Sequence, residues 1–247
     1  LNFVRYTSNP SHSTYNALQL ETRRRFATGL SVQTNYTFSK TLTDGETPGV
    51  DNYRTLRNKS IEKHRADWDV THTFNANYLY DLPIGQGYRL NTNAPFIRKM
   101  LEGWQISGLL TWRTSPYKTF TSDRLTVSQA ATMNQAGRMM PVPIGNAVET
   151  IRENIGVFRT PQGVFWLNPE LLNIAVSPTT GLATSSTLKP GLFRQPEAGE
   201  IGYLGEGMFK TPRFFQTDLS IMKKTRISET SNIEFRAEFF SLLNNAN

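Results

Sequence analysis

The chain has 247 residues, of which 38% are hydrophobic, and a net charge of +7. No apolar run approaches the roughly 20 residues of a membrane helix, which excludes a helical membrane protein. Cysteine is absent, which excludes disulfide frameworks and thiolate metal sites, and the basic residues are mostly scattered, as on solvated loops and strand ends.

The opening, Leu1-Asn2-Phe3-Val4-Arg5, shows neither an initiator Met nor a signal pattern, so the chain is expected to be a piece of something longer. The first patterned segment carries Leu18, Leu20 and Phe26 in one phase and Gln19, Glu21, Arg23 and Arg25 in the other. Side chains of a strand point to opposite faces in turn, so this is a strand with one apolar and one polar side. Ala27-Thr28-Gly29 reads as a tight hairpin turn, with Gly29 free to take positive φ. The next strand sets Leu30, Val32, Tyr36 and Phe38 against Ser31, Gln33, Asn35, Thr37 and Ser39.

The alternation then runs longest, from Arg65 to Leu82. Trp68, Val70, Phe74, Ala76, Tyr78, Tyr80 and Leu82 share one face; Asp67, Asp69, Thr71, Thr73, Asn75, Asn77 and Asp81 share the other, with His72 and Leu79 out of phase. Strands of soluble proteins average about 5–6 residues. From Trp68 to Tyr78 a strand extends roughly 33 Å, which projects to roughly 25 Å at barrel tilt, the height of an outer-membrane apolar band. Asp81-Leu82-Pro83-Ile84-Gly85 stops this strand, and Phe96 to Leu101 reads as a helical turn at the membrane surface.

Trp104, Ile106, Gly108, Leu110 and Trp112 then oppose Gln105, Ser107, Thr111 and Arg113. Residues 114–213 show no sustained period and predict short strands and turns without a second domain. Phe215, Leu219 and Ile221 face away from Gln216, Asp218 and Ser220; after a polar turn at 226–232, Ile233, Phe235, Ala237 and Phe239 face away from Glu234, Arg236 and Glu238, in a strand running to Leu243.

The connections are alternately short (27–29), long (40–64), medium (83–103), very long (114–213) and short (226–232). Outer-membrane barrels pair short periplasmic turns with long extracellular loops. The fold class expected is therefore all-β: a fragment of an antiparallel transmembrane barrel with about six long strands, and residues 114–213 as a long extracellular loop region. Trp68, Tyr78, Tyr80, Trp104 and Trp112 are expected at the membrane interfaces. Arg23, Arg25, Asp67, Asp69, Arg113, Glu234, Arg236 and Glu238 are expected to face the lumen.

Nothing in this pattern points to catalysis. His64, Asp67, Asp69 and His72 are close in sequence, but His72 falls opposite the two Asp residues, so neither a metal nor a cofactor is expected. Arg236 between Glu234 and Glu238 reads as an ion pair and not as an acid/base pair. Gly202-Tyr203-Leu204-Gly205-Glu206-Gly207 has the wrong spacing for nucleotide binding. Arg23-Arg24-Arg25 is split between two strand faces, with Arg24 placed to snorkel to headgroups, so no nucleic-acid partner is expected.

Several of these segments, in order, carry a resemblance: Ser13 to Leu20, Arg24-Arg25-Phe26, Asn35 to Lys40, Asp67 to Phe74, Asp81 to Gly85, Gly103 to Gly108, Thr217 to Ser220 and Phe235 to Asn244. The chain resembles the C-terminal barrel of TonB-dependent outer-membrane receptors, and within them the Oar-like, carboxypeptidase-regulatory-like domain-containing subgroup. It departs from the subgroup at Gly205-Glu206-Gly207 and Thr211-Pro212-Arg213, where Gly-Arg-Asn and Gly-Pro are usual. The resemblance implies a barrel of about 22 strands, of which residues 1–247 form a part without the plug or the final strand. It also implies the cell outer membrane of a Gram-negative bacterium, contact with outer-membrane lipid, a TonB partner reached through a missing N-terminal region, and an unknown ligand at the loops. The function it implies is TonB-energised uptake of a bulky nutrient such as a siderophore, glycan or peptide. Two alternatives stand beside it: a passive surface or adhesion protein with ligand-binding loops, and a soluble β-sandwich binding module.

Overall fold

The structure is a computed structural model that describes residues 11–27, 29–45, 58–84, 92–122, 140–202 and 204–245. Thr28, Gly85, Tyr203, Asn247 and parts of the three longer connections lie outside the described residues. The long strands are β1 (Ser13–Arg25), β2 (Leu30–Thr43), β3 (His72–Asp81), β4 (Trp104–Arg113), β5 (Phe214–Arg226) and β6 (Asn232–Phe239). They form one sheet in chain order, β1 through β6, and His64–Arg65 pairs beside Leu42 and Thr43 at the end of β2.

The registers show that the two faces continue from strand to strand. Tyr36 pairs with Phe74, Phe74 with Trp112, and Trp112 with Phe215. One step along, Asn35 pairs with Asn75, Asn75 with Thr111, and Thr111 with Gln216. Paired residues of a ladder point the same way, so the alternation in each strand adds up to one apolar and one polar face. Gly108 sits on the apolar face, and the ring of Tyr78 lies across it: a Cβ there would come within 2.6 Å of the phenol oxygen. The glycine leaves room for an aromatic side chain to lie flat on the next strand.

The chain divides into two compact units. The sheet unit comprises Leu18–Phe38, His72–Arg113 and Arg213–Asn247; the loop unit comprises Leu1–Ala17, Ser39–Thr71 and Thr114–Pro212. The loop unit holds a hydrophobic cluster of Met140, Ile151, Leu167, Leu204 and Phe209. Phe120 packs onto it at ring distances of 5.1 Å to Phe209 and 5.9 Å to both Trp166 and Phe193. Of the two α-helices among the described residues, α1 (Pro95–Leu101) and α2 (Ala147–Glu153), the second buries Ala147 and Ile151, four apart and so on one face. Short hairpins, Ile155–Thr160 with Gly163–Leu167 and Leu172–Val176 with Ala183–Leu188, complete the stretch.

Two boundaries differ from the sequence reading. The strand expected from Arg65 begins at His72, because Asp69 diverts the chain. Its backbone N–H bonds to the Ala66 carbonyl at 2.9 Å, and its carboxylate accepts the Thr41 N–H and an Arg65 N–H, both at 2.6 Å. A local side-chain partner of this kind competes with the ladder and closes a turn. Asp67 and Trp68 lie in that turn, so neither alternates with the residues of β3. The corrected β3 has 10 residues, within the roughly 9–11 of a tilted membrane strand. The last strand ends at Phe239 and not at Leu243: the Ser241 N–H turns back to Asp218 at 2.8 Å, and Ser241 takes a φ of 49°.

Candidate functional site

Two polar assemblies could meet a ligand, one in each unit. On the polar face of the sheet, Asp81 accepts from Gln105 at 2.6 Å and Glu21 from Gln33 at 2.9 Å, both across adjacent strands. Asp218 accepts from Gln216 at 3.1 Å as well as from Ser241. Arg236 lies 3.0 Å from Glu234 and 3.7 Å from Glu238. Asn77, Ser107, Asp218, Ser220 and Glu238 border a shallow concavity of about 480 Å³, with Leu79 and Leu109 among its walls. These carboxylates are held by amides, a backbone N–H and a guanidinium, so the face offers hydrogen bonds and charge to a solute.

Residues expected to face the lumen are distributed as follows. Arg113 pairs in register with Thr73 and Phe214 on the polar face, its guanidinium 4.7 Å from the Phe214 ring centre. Glu234, Arg236 and Glu238 pair with Lys224, Met222 and Ser220 on the same face. Arg23 and Arg25 are exposed on β1, while Arg24 stands over the Phe26 ring at 4.5 Å. Asp67 and Asp69 are not on the sheet. Asp67 is exposed, and Asp69 is 1% exposed inside the loop unit.

Among the expected interface aromatics, Tyr78, Tyr80, Trp104 and Trp112 lie on the apolar face through their pairing with Val32, Leu30, Lys223 and Phe74. Trp68 is exposed in its turn and shares no strand with them. His72 falls on the apolar face among rings, with its Nδ1 2.8 Å from the Tyr36 hydroxyl and Phe38 and Trp112 at 5.1 and 6.4 Å. The phase break at His72 thus replaces an apolar residue with one that ties a tyrosine.

The loop unit contains the assembly that sequence reasoning did not foresee. His64 Nε2 and Glu206 Oε2 are 3.1 Å apart with both side chains buried. Arg65, bonded to Asp69, places its guanidinium 4.9 Å from the Tyr117 ring, and Lys210 approaches that ring at 5.5 Å. Gly207 comes in beside them at φ 61°, where an added Cβ would stand 2.9 Å from the Arg65 carbonyl. Gly207 N–H bonds Thr119 at 2.8 Å. The segments 41–43, 64–71, 117–119 and 205–210 are thereby locked together. Glycines on either side of Glu206 were a signal of close backbone approach. At the rim, Arg194 grips Glu200 with two N–H donors at 2.8 and 2.9 Å, and with the Glu197 N–H holds its carboxyl below the usual range. No group of three or more potential metal ligands occurs among the described residues.

A single continuous sheet with one apolar face, built by strands of barrel length, is the geometry of a membrane β-barrel wall. The family model described as "Outer membrane beta barrel domain" matches residues 1–247. The chain belongs to the outer membrane beta barrel domain family. No curated protein and no solved structure matches it. As a member of this family the chain resides in the cell outer membrane and contacts outer-membrane lipid. The apolar face, from Leu30 and Tyr80 to Phe38 and Trp112, has the composition for that contact. The family match, over the whole chain, speaks for the barrel and against the soluble sandwich.

Proposed function

We propose that the chain is the barrel portion of an outer-membrane receptor that takes up a bulky nutrient, such as a siderophore, glycan or peptide, with energy from the TonB system. The observation that carries this reading is the loop unit. The described residues of 39–71 and 114–212 pack through the buried His64–Glu206 contact, the buried Asp69 carboxylate and an aromatic cluster. A barrel that only anchors itself needs no such investment; a preformed surface for a ligand does. The polar face of the sheet, with Asp81, Asp218 and the Glu234–Arg236–Glu238 row, supplies a hydrophilic wall for passage. The role is binding and transfer without catalysis. Its energised character is supported by the resemblance of the 35–40, 67–74 and 235–244 segments to TonB-dependent receptors.

The test uses the full-length gene in its own cell envelope. Labelled siderophore, glycan and peptide pools are offered to cells with and without the gene, before and after the proton gradient is collapsed. Uptake that requires the gene and stops with the gradient, while surface binding persists, is the expected outcome. Gene-dependent binding with no gradient-dependent uptake would replace this reading with a passive receptor or adhesin.

A further inference from the structure

A second exposed apolar surface lies in the sheet unit, on helix α1 (Pro95–Leu101) between β3 and β4. At about 100° per residue, Phe96, Ile97, Met100 and Leu101 fall on one arc and Arg98, Lys99 and Glu102 on the other. Phe96 is 76% exposed, Met100 58% and Ile97 50%. Such a group of large apolar side chains left open on a short helix marks an interaction surface.

What fixes the side on which α1 lies is its attachment. The Trp104 indole N–H donates to the Met100 carbonyl at 2.9 Å. The Lys223 ammonium donates to the Lys99 carbonyl at 2.8 Å and also to that of Glu102. Trp104 and Lys223 pair with each other in register, in phase with Ile106, Gly108, Leu219 and Ile221. Both therefore project from the apolar face, and the helix C-terminus is bonded to the lipid side of the sheet. A cation at the last carbonyls also complements the helix dipole.

The end of the sheet is equally defined. Tyr80 pairs with Ile106 and Leu30, close to the tight turn after Phe26, and Arg226 pairs with Asn232 at the 227–231 turn. Tight turns of outer-membrane barrels face the periplasm. We infer that α1 is an interfacial anchor seated in the periplasmic leaflet, with Phe96, Ile97 and Met100 among the acyl chains and Arg98 and Lys99 at anionic phospholipid headgroups. The apolar arc continues the lipid-facing surface of the sheet, and the basic residues match phosphate charge. The inference rests on membership of the barrel family and is independent of what the protein transports.

The experiment uses the full-length protein refolded into vesicles of three parts phosphatidylethanolamine to one part phosphatidylglycerol. Single-cysteine variants Phe96→Cys, Met100→Cys and Asn77→Cys, the last on the polar face, carry an environment-sensitive fluorophore; Ile97→Cys replaces either helix site if folding fails by gel mobility. Labels on α1 should sit roughly 5–10 Å into the headgroup–acyl boundary, be quenched several-fold more by nitroxide lipids than the Asn77 label, and resist aqueous iodide. Replacing phosphatidylglycerol by phosphatidylcholine, or introducing R98Q with K99Q, should reduce that lipid quenching. Labels on α1 that iodide reaches as readily as the Asn77 label, or that become shielded only on adding a periplasmic extract, would overturn the inference; lipid quenching unchanged by both charge manipulations would overturn its headgroup part.

Discussion

The two units solve the burial problem in opposite ways. Every described residue that is buried from water belongs to the loop unit: Asp69, His64 and Glu206 as well as Ile151, Leu167 and Phe209. No described residue of the sheet unit is buried, although it carries Phe74, Trp104, Trp112, Phe215 and Phe235. Two solvents explain the difference. The loop unit withdraws apolar side chains from water and must satisfy every polar group it takes along. The sheet unit keeps its backbone hydrogen bonds internal and leaves its apolar face to lipid. The same side chain therefore has a different value in the two places: a phenylalanine left open is a liability in the loop unit and the design in the sheet unit.

The comparison can be broken most forcefully at Asp69. Asp69→Ala removes the partner of Arg65 and the acceptor of the Thr41 N–H, and loss of a buried pair costs about 3–5 kcal/mol. Limited proteolysis should then cut within 39–71 and 114–212 while the folded barrel keeps its gel mobility. Asp67→Ala, in the same turn but exposed, should change stability by no more than about 0.5 kcal/mol. Equal sensitivity of the two variants would remove Asp69 from the centre of the loop unit.

A smaller effect tests the faces of the sheet. Ala76→Arg, on the lipid side, should lower barrel stability by roughly 2–4 kcal/mol in a denaturant titration in vesicles, and Asn75→Arg, one residue away on the polar face, by much less. Similar losses would contradict the shared register of β2, β3 and β4.

The smallest effect belongs to the loop rim. Arg194 holds the Glu200 carboxyl below its ordinary range, so this contact stabilises the fold above the carboxyl's unfolded pKa and ceases to do so as pH falls through the lower folded value. Arg194→Gln should move the Glu200 titration upward, as read by carboxyl carbon NMR of selectively labelled Glu. A titration that stays in place would mean the Arg194 contact does not govern it.

How far these arrangements were legible in the sequence follows from the range of the interactions. The faces of β2, β3, β4 and β5 were readable because a period of two is local: Val32, Tyr78, Ile106 and Leu219 declare themselves against their own neighbours. The start of β3 was not, because the residue that ends the pattern, Asp69, does so through Thr41, 28 positions earlier. Between Arg65 and Thr71 the alternation of polar and apolar residues persists while the backbone turns. The His64–Glu206 pair and the approach of Gly207 to Arg65 span still longer separations, and only the glycines flanking Glu206 hinted at them. Arg236 between its two glutamates lies at the other extreme, with partners two residues away on one strand.

The foot of the longest excursion has a consequence for how such a chain is assembled and varied. Tyr117–Lys118 pairs with Phe209–Lys210, Ser115 bonds the Pro212 carbonyl, and Thr211 bonds that of Pro116 at 3.5 Å. This clasp draws together the ends of the chain that leave β4 and enter β5, whatever lies between. The entropy of closing a loop grows only with the logarithm of its length, about 0.6 kcal/mol for each doubling, so an insert held at its base can lengthen or shorten at little cost to strand pairing. Length changes between Phe120 and Glu206 can thus be absorbed while Arg113 still meets Phe214, provided that the buried partner of His64 and the cluster around Phe209 are kept.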